Sequence, residues 1–438
     1  MLRTIFVLAI ATVGLIFAVQ GALYSLLFYL WFAYFRPEQW LWTDFISSLN
    51  PSYVVGLWTV LLTLFSRVRL QLNLRVLLLA AFLIQALLSV VLSQYSVYAW
   101  PFWIEFAKAA VITYVIAVLA ADMSSFRLVL LTIALSLGFE GAKQGWAQLV
   151  LNPGATNNNK LPVLGDNNGV AVGMLMLVPI LTTLAATSTK RWQRLLFQFM
   201  AIGVVYRAIS TYSRGGFIAC AALGLFYVVR SHRRVPALIG IALAVAIIVP
   251  ALPNAFWDRM STIKAPAEVT DESALGRLHF WDVAITMANR NPLVGIGHNA
   301  YNVAYDAYDS SHGDFGPQRS VHSAWFGVLA ELGYPGFILF VSQVLLAFAA
   351  AWRARRAAAL DPELADLRKF AFAIEAALVA FVIGGSFVPF QYNEMFWHVI
   401  GLSIALDVMA RAAMLEKGAG PSVAGLGSAR GGAAALAS

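Results

Sequence analysis

Charged residues are scarce in this chain. They account for 12% of its 438 residues, whereas an ordinary soluble domain has about 25%. So little charge excludes a conventional water-soluble protein of this size. Instead, 60% of the residues are hydrophobic, in runs of about 20, the helix length that crosses the hydrocarbon core of a bilayer. The composition predicts an all-α integral membrane protein.

Cysteine is almost absent, and nucleotide-binding motifs are missing. Cys220 is the only cysteine, which excludes an intrachain disulfide, and its place in an apolar run favours a small buried side chain. No Walker-type phosphate loop occurs. The formal net charge of +8 comes largely from Lys and Arg in the connections between apolar runs, so it gives no sign of a nucleic-acid partner.

The apolar runs predict about twelve transmembrane helices and one large loop. Helices 1–9 occupy residues 1–252, the loop 253–321 and helices 10–12 residues 322–414, and a Gly- and Ala-rich disordered cytoplasmic tail covers 415–438. The first run is long enough to be tilted, broken or doubled. The predicted spans are 4–34, 51–66, 76–93, 101–121, 127–150, 168–188, 193–212, 215–230, 235–252, 322–352, 368–389 and 395–413.

Basic residues predict the orientation. Lys and Arg concentrate in alternate connections, at 67–75, 190–194, 230–234 and 353–369, whereas the connections around 35–50, 94–100, 151–167 and 390–394 carry only Arg36 and Lys160. Because cytoplasmic loops are enriched in Lys and Arg, we expect the basic connections and both chain ends to be cytoplasmic. The loop 253–321 is then exported.

Several polar side chains fall near the exported ends of the predicted helices. An ionisable group at membrane depth costs about 2.5 kcal/mol or more unless it is paired or hydrated. Two readings stay open: the i,i+3 couples are self-neutralising ion pairs, or the groups line a cavity. These residues are Glu105, Lys108, Glu140, Lys143, Gln144 and Arg207.

Three side chains have the character of catalytic groups. Arg214, in the turn 212–216, has a planar fork that suits phosphate, although an interfacial Arg can simply snorkel. Arg277 shares a face with Trp281 on a predicted loop helix from 274 to 289, where a solvated surface Arg is the alternative. His322 opens the tenth span and, if neutral, can act as a base. Its alternatives are a helix cap, or one of the other histidines of the loop as the base: His279, His298 and His312.

These motifs, taken in order, resemble the O-antigen ligase superfamily. The resemblance rests on Ser213-Arg214-Gly215-Gly216 after a span, an Arg in the long exported loop, and His322-Ser323 followed by residues 331–336, Glu-Leu-Gly-Tyr-Pro-Gly. Asp166-Asn167-Asn168 at the start of the sixth span is similar to an acidic motif of that family. The resemblance covers residues 166–389. The superfamily also contains O-antigen polymerases and protein O-oligosaccharyltransferases, which share much of this pattern.

The resemblance implies a GT-C-like glycosyltransferase of the bacterial inner membrane, with its active site facing the periplasm. The donor would be O-antigen on undecaprenyl pyrophosphate and the acceptor lipid A-core, with neither metal ion nor cofactor. Arg214 and Arg277 would stabilise the pyrophosphate leaving group, and His322 would deprotonate the acceptor hydroxyl in an inverting displacement. Candidate donor contacts are Arg207, Tyr212, Lys143 and Asp166.

A secondary transporter is the alternative from another class. Transporters usually show internal repeats with interrupted helices in matching positions. Here the long loop occurs once, late in the chain, and the polar groups gather at one leaflet. The pattern therefore favours an enzyme.

Overall fold

A computed structural model describes residues 2–40, 51–68, 70–231, 234–248, 272–359 and 361–418. This part of the chain is almost entirely helical, and an isolated bridge between Leu161 and Gly165 is its sole β pairing. The predicted tail beyond residue 418, the first part of the large loop (249–271), Arg69 and Arg233 lie outside the described residues. The helices are α1 (Leu2–Ala18), α2 (Ala22–Phe35), α3 (Pro51–Phe65), α4 (Leu74–Leu92), α5 (Ser96–Leu119), α6 (Met123–Leu151), α7 (Asn167–Thr187), α8 (Arg191–Ile209), α9 (Arg214–Arg230), α10 (Arg234–Ile248), α11 (Glu272–Arg290), α12 (Tyr301–Tyr308), α13 (Ala324–Ala359), α14 (Ala365–Gly384) and α15 (Glu394–Gly418).

Each predicted span after the first falls on a single helix as far as the structure describes it, which confirms the all-helical class. Within the described residues, six helices are long and apolar enough to cross a membrane, namely α4, α5, α6, α7, α13 and α15 up to Leu415. The apolar helices α1, α2 and α3 are shorter. The count of twelve spans therefore stays a prediction.

The first predicted span is two helices. The chain leaves helical geometry before Gly21, and α1 folds back on α2, so that a Cβ atom at Gly14 would collide with the ring of Phe28. The start of α1 consequently lies beside the short turn Pro37–Trp40. Because α15 begins near Arg36, the start of α1 and the far end of α15 lie at opposite ends of the bundle. The described helices therefore disagree with the prediction that both chain ends share one side, and the ends themselves lie outside the described residues. The length of the run had left a doubled helix open, but hydropathy could not locate the turn because both arms are apolar.

The bundle has two chemically different ends. At one end, here called the basic end, Arg230 and Arg353 form ion pairs with carboxylates of α14 and α15 at 2.5 and 2.6 Å. The opposite end, here called the loop end, gathers the connections 152–166, 210–213, 291–323 and 385–393. Backbone hydrogen bonds join these connections, for example from the Asn157 N–H to the Ser210 carbonyl at 2.8 Å.

A break in α13 attaches the large loop to the bundle. Gly333 has φ = 67°, a left-handed value that favours glycine, and Pro335 has no N–H to donate. The carbonyls of residues 330–332 are thereby released from the helix. They accept hydrogen bonds instead from the N–H groups of Ile296 and Gly297, at 3.0 and 3.2 Å, and from the Gln85 side chain.

The two ends of the bundle permit a test of orientation. Cysteines introduced at Asn158, Ser310 and Pro389, all exposed at the loop end, should react with an impermeant thiol reagent added to spheroplasts of a Cys220→Ala background. Ala359, exposed at the basic end, should be protected until the membrane is permeabilised. Labelling of position 359 from outside would reverse the orientation.

Candidate active site

The His322 backbone is held from two sides. The indole N–H of Trp281, on the loop helix α11, donates to the Val321 carbonyl at 3.1 Å, and the Ala324 N–H donates to the Gly385 carbonyl at 2.7 Å. His322 itself has φ = 48°, an uncommon value for a non-glycine residue. The segment is therefore fixed between the large loop and the 385–393 connection.

Burial and two arginines lower the pKa of the His322 imidazole. Burial of the ring is the largest cause that lowers its pKa, the positive charges of Arg277 and Arg319 lower it further, and the Asp166 carboxylate acts in the opposite direction. All three charges are thus within electrostatic range of the ring. A lowered pKa keeps the imidazole neutral, the form that can accept a proton.

Arg277 belongs to the same cluster as His322. It lies one helical turn before Trp281, so the two side chains share the face of α11 that contacts the His322 segment. The predicted common face of Arg277 and Trp281 therefore packs against the segment that contains the predicted base, His322. The structure also extends this helix in both directions, to Glu272 and Arg290.

Arg214 begins α9 at the same end of the bundle. The Ser213 hydroxyl caps the helix by accepting the Gly216 N–H at 3.2 Å. The two glycines that follow Arg214 allow close packing, since a Cβ at Gly215 would lie 2.6 Å from that of Phe387, and one at Gly216 would lie 2.7 Å from that of Ala171. Arg214 is half-buried. Its helix start is thereby wedged between α7 and the 385–393 connection that also holds His322.

Asp166 completes this end of the bundle. Its carboxylate caps α7 by accepting the Gly169 N–H at 2.9 Å, and the side chain remains exposed. The same loop is tied to the 385–393 connection by a 2.6 Å hydrogen bond from the Asn393 amide to the Val163 carbonyl. Asp166, Arg214, Arg277 and His322 therefore all come from segments that pack around one connection.

The other histidines of the loop are placed differently. His298 is buried, its ring centroid lies 3.9 Å from that of Tyr392, and burial lowers its pKa to about 3. His279 bonds to the Asp309 carboxylate at 2.7 Å. His312 is exposed. Among the four histidines, His322 alone combines a half-buried ring with the Arg277 and Asp166 charges.

Three of the predicted donor contacts are engaged within the protein. Arg207 is fully buried and donates to the Gln144 side chain at 2.9 Å and to the carbonyls of Asn157 and Asn159 at 3.4 and 2.5 Å. The Tyr212 hydroxyl donates to the carbonyl of Gly154. These contacts fix the 152–166 connection.

Lys143 forms an ion pair with Glu140 at 2.7 Å. This ion pair agrees with the interpretation that the charged residues three positions apart neutralise each other. A role of Arg207, Tyr212 or Lys143 in donor binding stays a prediction.

Arg207→Met is expected to lower the melting temperature. The substitution leaves acceptors without a donor, and each unsatisfied buried polar group costs about 1–3 kcal/mol. Lys143→Met, which removes one partner of a half-exposed pair, is the matched control, since such pairs contribute about 0–1 kcal/mol. Thermal unfolding followed by fluorescence-detected gel filtration distinguishes the two. Equal melting temperatures for wild type and Arg207→Met would contradict this structural role.

Glu331 is a site residue that sequence reasoning quoted in a motif but gave no role. It is buried, and its carboxylate accepts hydrogen bonds from the Tyr301 N–H at 3.3 Å and the Gln391 amide at 3.2 Å. It thus joins the loop helix α12 to the 385–393 connection. The available signal was a lone carboxylate within an apolar span, which by default marks a functional position.

Candidate metal ligands do not cluster in this part of the molecule. Among the described residues, no group of three or more His, Cys, Asp or Glu side chains is arranged to hold a metal ion. The cations of the site are instead arginines. Guanidinium groups suit oxyanions such as phosphate because their planar fork donates parallel hydrogen bonds.

The apolar helices and the polar cluster at the loop end define a multi-pass membrane protein. Residues 199–341 match the family model described as O-Antigen ligase. The match confirms the resemblance of the motifs to the O-antigen ligase family in this part of the chain. The matched segment includes Arg214, Arg277 and His322, whereas Asp166 and Lys143 precede it. No curated protein sequence matches the chain significantly.

Proposed function

We propose that this protein is an O-antigen ligase of the bacterial inner membrane, with a GT-C-like architecture and an active site that faces the periplasm. It transfers O-antigen polysaccharide from undecaprenyl pyrophosphate to the outer-core sugar of lipid A-core. The observation that carries the proposal is the cluster at the loop end. There a partly buried histidine lies within electrostatic range of Arg277 and Asp166, inside the segment that matches the family.

The proposed mechanism is a single inverting displacement. The acceptor hydroxyl oxygen attacks the anomeric carbon of the donor while His322 takes the hydroxyl proton. The bond from that carbon to the pyrophosphate oxygen breaks, and undecaprenyl pyrophosphate leaves with the electron pair. Arg214 and Arg277 stabilise the negative charge that develops on the leaving group, an effect that grows in a site that excludes water. The imidazolium then releases its proton to water.

The reaction class is tested by a deletion strain whose lipopolysaccharide is separated on a gel. Loss of the high-molecular-weight ladder with intact lipid A-core supports ligation. A core that bears a single repeat unit would instead identify a polymerase. An unchanged ladder together with loss of glycan from proteins would identify a protein O-oligosaccharyltransferase. Complementation with His322→Ala should fail to restore the ladder.

The pH dependence of transfer should report the charges around His322. Because only the neutral imidazole accepts a proton, the rate should rise with pH through the His322 pKa, which burial and Arg277 place below its ordinary value of about 6.5. Asp166→Asn removes a charge that raises this pKa and should move the midpoint to lower pH. Arg319→Gln removes one that lowers it and should move the midpoint to higher pH.

The Asp166→Asn variant should fold like the wild type. Asn caps helices about as well as Asp, so Asp166→Asn retains the start of α7. Rate profiles measured with defined donor and acceptor lipids give both midpoints. Shifts of the same sign in the two variants would contradict titration of His322.

A further inference from the structure

A lateral cavity beside α5 is separate from the candidate active site. Its volume is about 880 Å³, within the range of small-molecule sites, roughly 300–1,000 Å³. Its lining comes from α2, α3, α5 and the first turn of α15, and includes none of Arg214, Arg277 and His322. Phe106, next to Glu105, contacts His298 and Tyr392, which places the cavity at the loop end.

The charges that line the cavity balance. Arg36 and Lys108 provide two positive charges, and Glu105 and Glu394 provide two negative ones. Lys108 and Glu105 form an ion pair at 2.7 Å with both side chains at least one-third exposed, so this pair lies at the rim. Among the described residues, Arg36 lies 3.9 Å from the Glu38 carboxylate. The lining therefore suits a ligand of zero net charge that carries both signs.

The Glu394 carboxylate indicates which positively charged group the ligand carries. Its Oε2 atom is buried and has no hydrogen-bond partner among the described residues. A carboxylate at membrane depth is costly unless it is paired. A primary ammonium satisfies it with up to three N–H donors, whereas a quaternary ammonium has none.

The remaining wall of the cavity is apolar. It includes Leu57 and Val60 of α3 and Val111 and Ile112 of α5. A hydrocarbon chain attached to the charged group would lie along these side chains and make van der Waals contacts with them. A free, water-soluble zwitterion would leave this wall unused.

We propose that the cavity binds a zwitterionic membrane phospholipid whose headgroup joins a phosphate to a primary ammonium, of the phosphatidylethanolamine type. Arg36 binds the phosphate through its planar fork, with Lys108 at the rim as the second cation. Glu394 accepts the ammonium, and the wall formed by α3 and α5 contacts the first part of an acyl chain. Anionic lipids and pyrophosphates are disfavoured because they add negative charge and bring no cation to Glu394.

Native mass spectrometry of the full-length, delipidated protein tests this site. The probes are phosphatidylethanolamine, phosphatidylcholine and phosphatidylglycerol with identical acyl chains, and the soluble headgroup glycerophosphoethanolamine. A hydrogen bond to a charged group contributes enough for about a tenfold difference in dissociation constant. We therefore expect phosphatidylethanolamine to bind about tenfold more tightly than the other two lipids, and the soluble headgroup to bind far more weakly.

Variants assign the preference to residues. Glu394→Gln should abolish the preference for phosphatidylethanolamine over phosphatidylcholine, and Arg36→Gln should weaken binding of all three lipids. Arg411→Gln, at the basic end, should change neither. Equal binding of phosphatidylglycerol, equal binding of the soluble headgroup, or a retained preference in Glu394→Gln would overturn the proposal. If Glu394→Gln does not fold, the wild-type ranking and Arg36→Gln decide the question.

Discussion

His322→Asn is expected to lower the rate of glycosyl transfer by about 10²- to 10⁴-fold, the usual contribution of general acid–base catalysis. Asn is an informative replacement because φ at this position is 48°, in the left-handed region that Asn tolerates better than most residues. The variant thus keeps the backbone and removes the basic nitrogen. Purified protein with defined donor and acceptor lipids gives the rate, and donor binding should be nearly unchanged.

The structure weakens the alternative that His322 is a helix cap. Helix α13 begins at Ala324, and the Phe326 N–H reaches the Ser323 hydroxyl at 3.5 Å. The capping position is therefore Ser323. Ser323→Ala is the matched control: it should lower the stability by about 1 kcal/mol and retain most of the transfer rate. A nearly wild-type rate in His322→Asn would mean that another group removes the acceptor proton.

The sequence was informative wherever a local pattern determines a local structure. Apolar runs located the helices because each helix satisfies its own backbone hydrogen bonds in lipid. The i,i+4 spacing of Arg277 and Trp281 predicted a common face, and Trp281 indeed contacts the His322 segment. The order of the short motifs predicted a family resemblance, which the match over residues 199–341 confirms.

Contacts between segments far apart in the sequence could not be predicted from such local patterns. Hydropathy cannot show that Arg207 bonds with a connection about 50 residues earlier, so its buried structural contacts were missed. The length of the first run allowed a doubled helix, but composition could not decide between a helical hairpin and one long helix because the two have the same apolar composition. Glu331 was noticed only as part of a motif, since its partners Tyr301 and Gln391 lie 30 and 60 residues away.

The proposed leaving-group clamp depends on the shape of the cation as well as on its charge. Arg214 follows the capped turn at Ser213, and crowding of Gly215 against Phe387 fixes the start of its helix. A side-chain substitution at position 214 should therefore not move the backbone, because the neighbouring residues hold it in place. Arg214→Lys keeps the positive charge and removes the planar fork, so it separates geometry from electrostatics.

Arg214→Lys is expected to lower the transfer rate about 10²-fold or more, comparable with the loss of one oxyanion donor. Arg290→Lys is the matched control: its guanidinium lies over the Tyr308 ring at 5.4 Å in the last turn of α11, where an ammonium can make a similar contact. This variant should retain nearly full activity. Both are measured as purified proteins with the same donor and acceptor lipids. If Arg214→Lys transfers as fast as Arg290→Lys, Arg214 acts only as a positive charge, and bidentate contact with the pyrophosphate is ruled out.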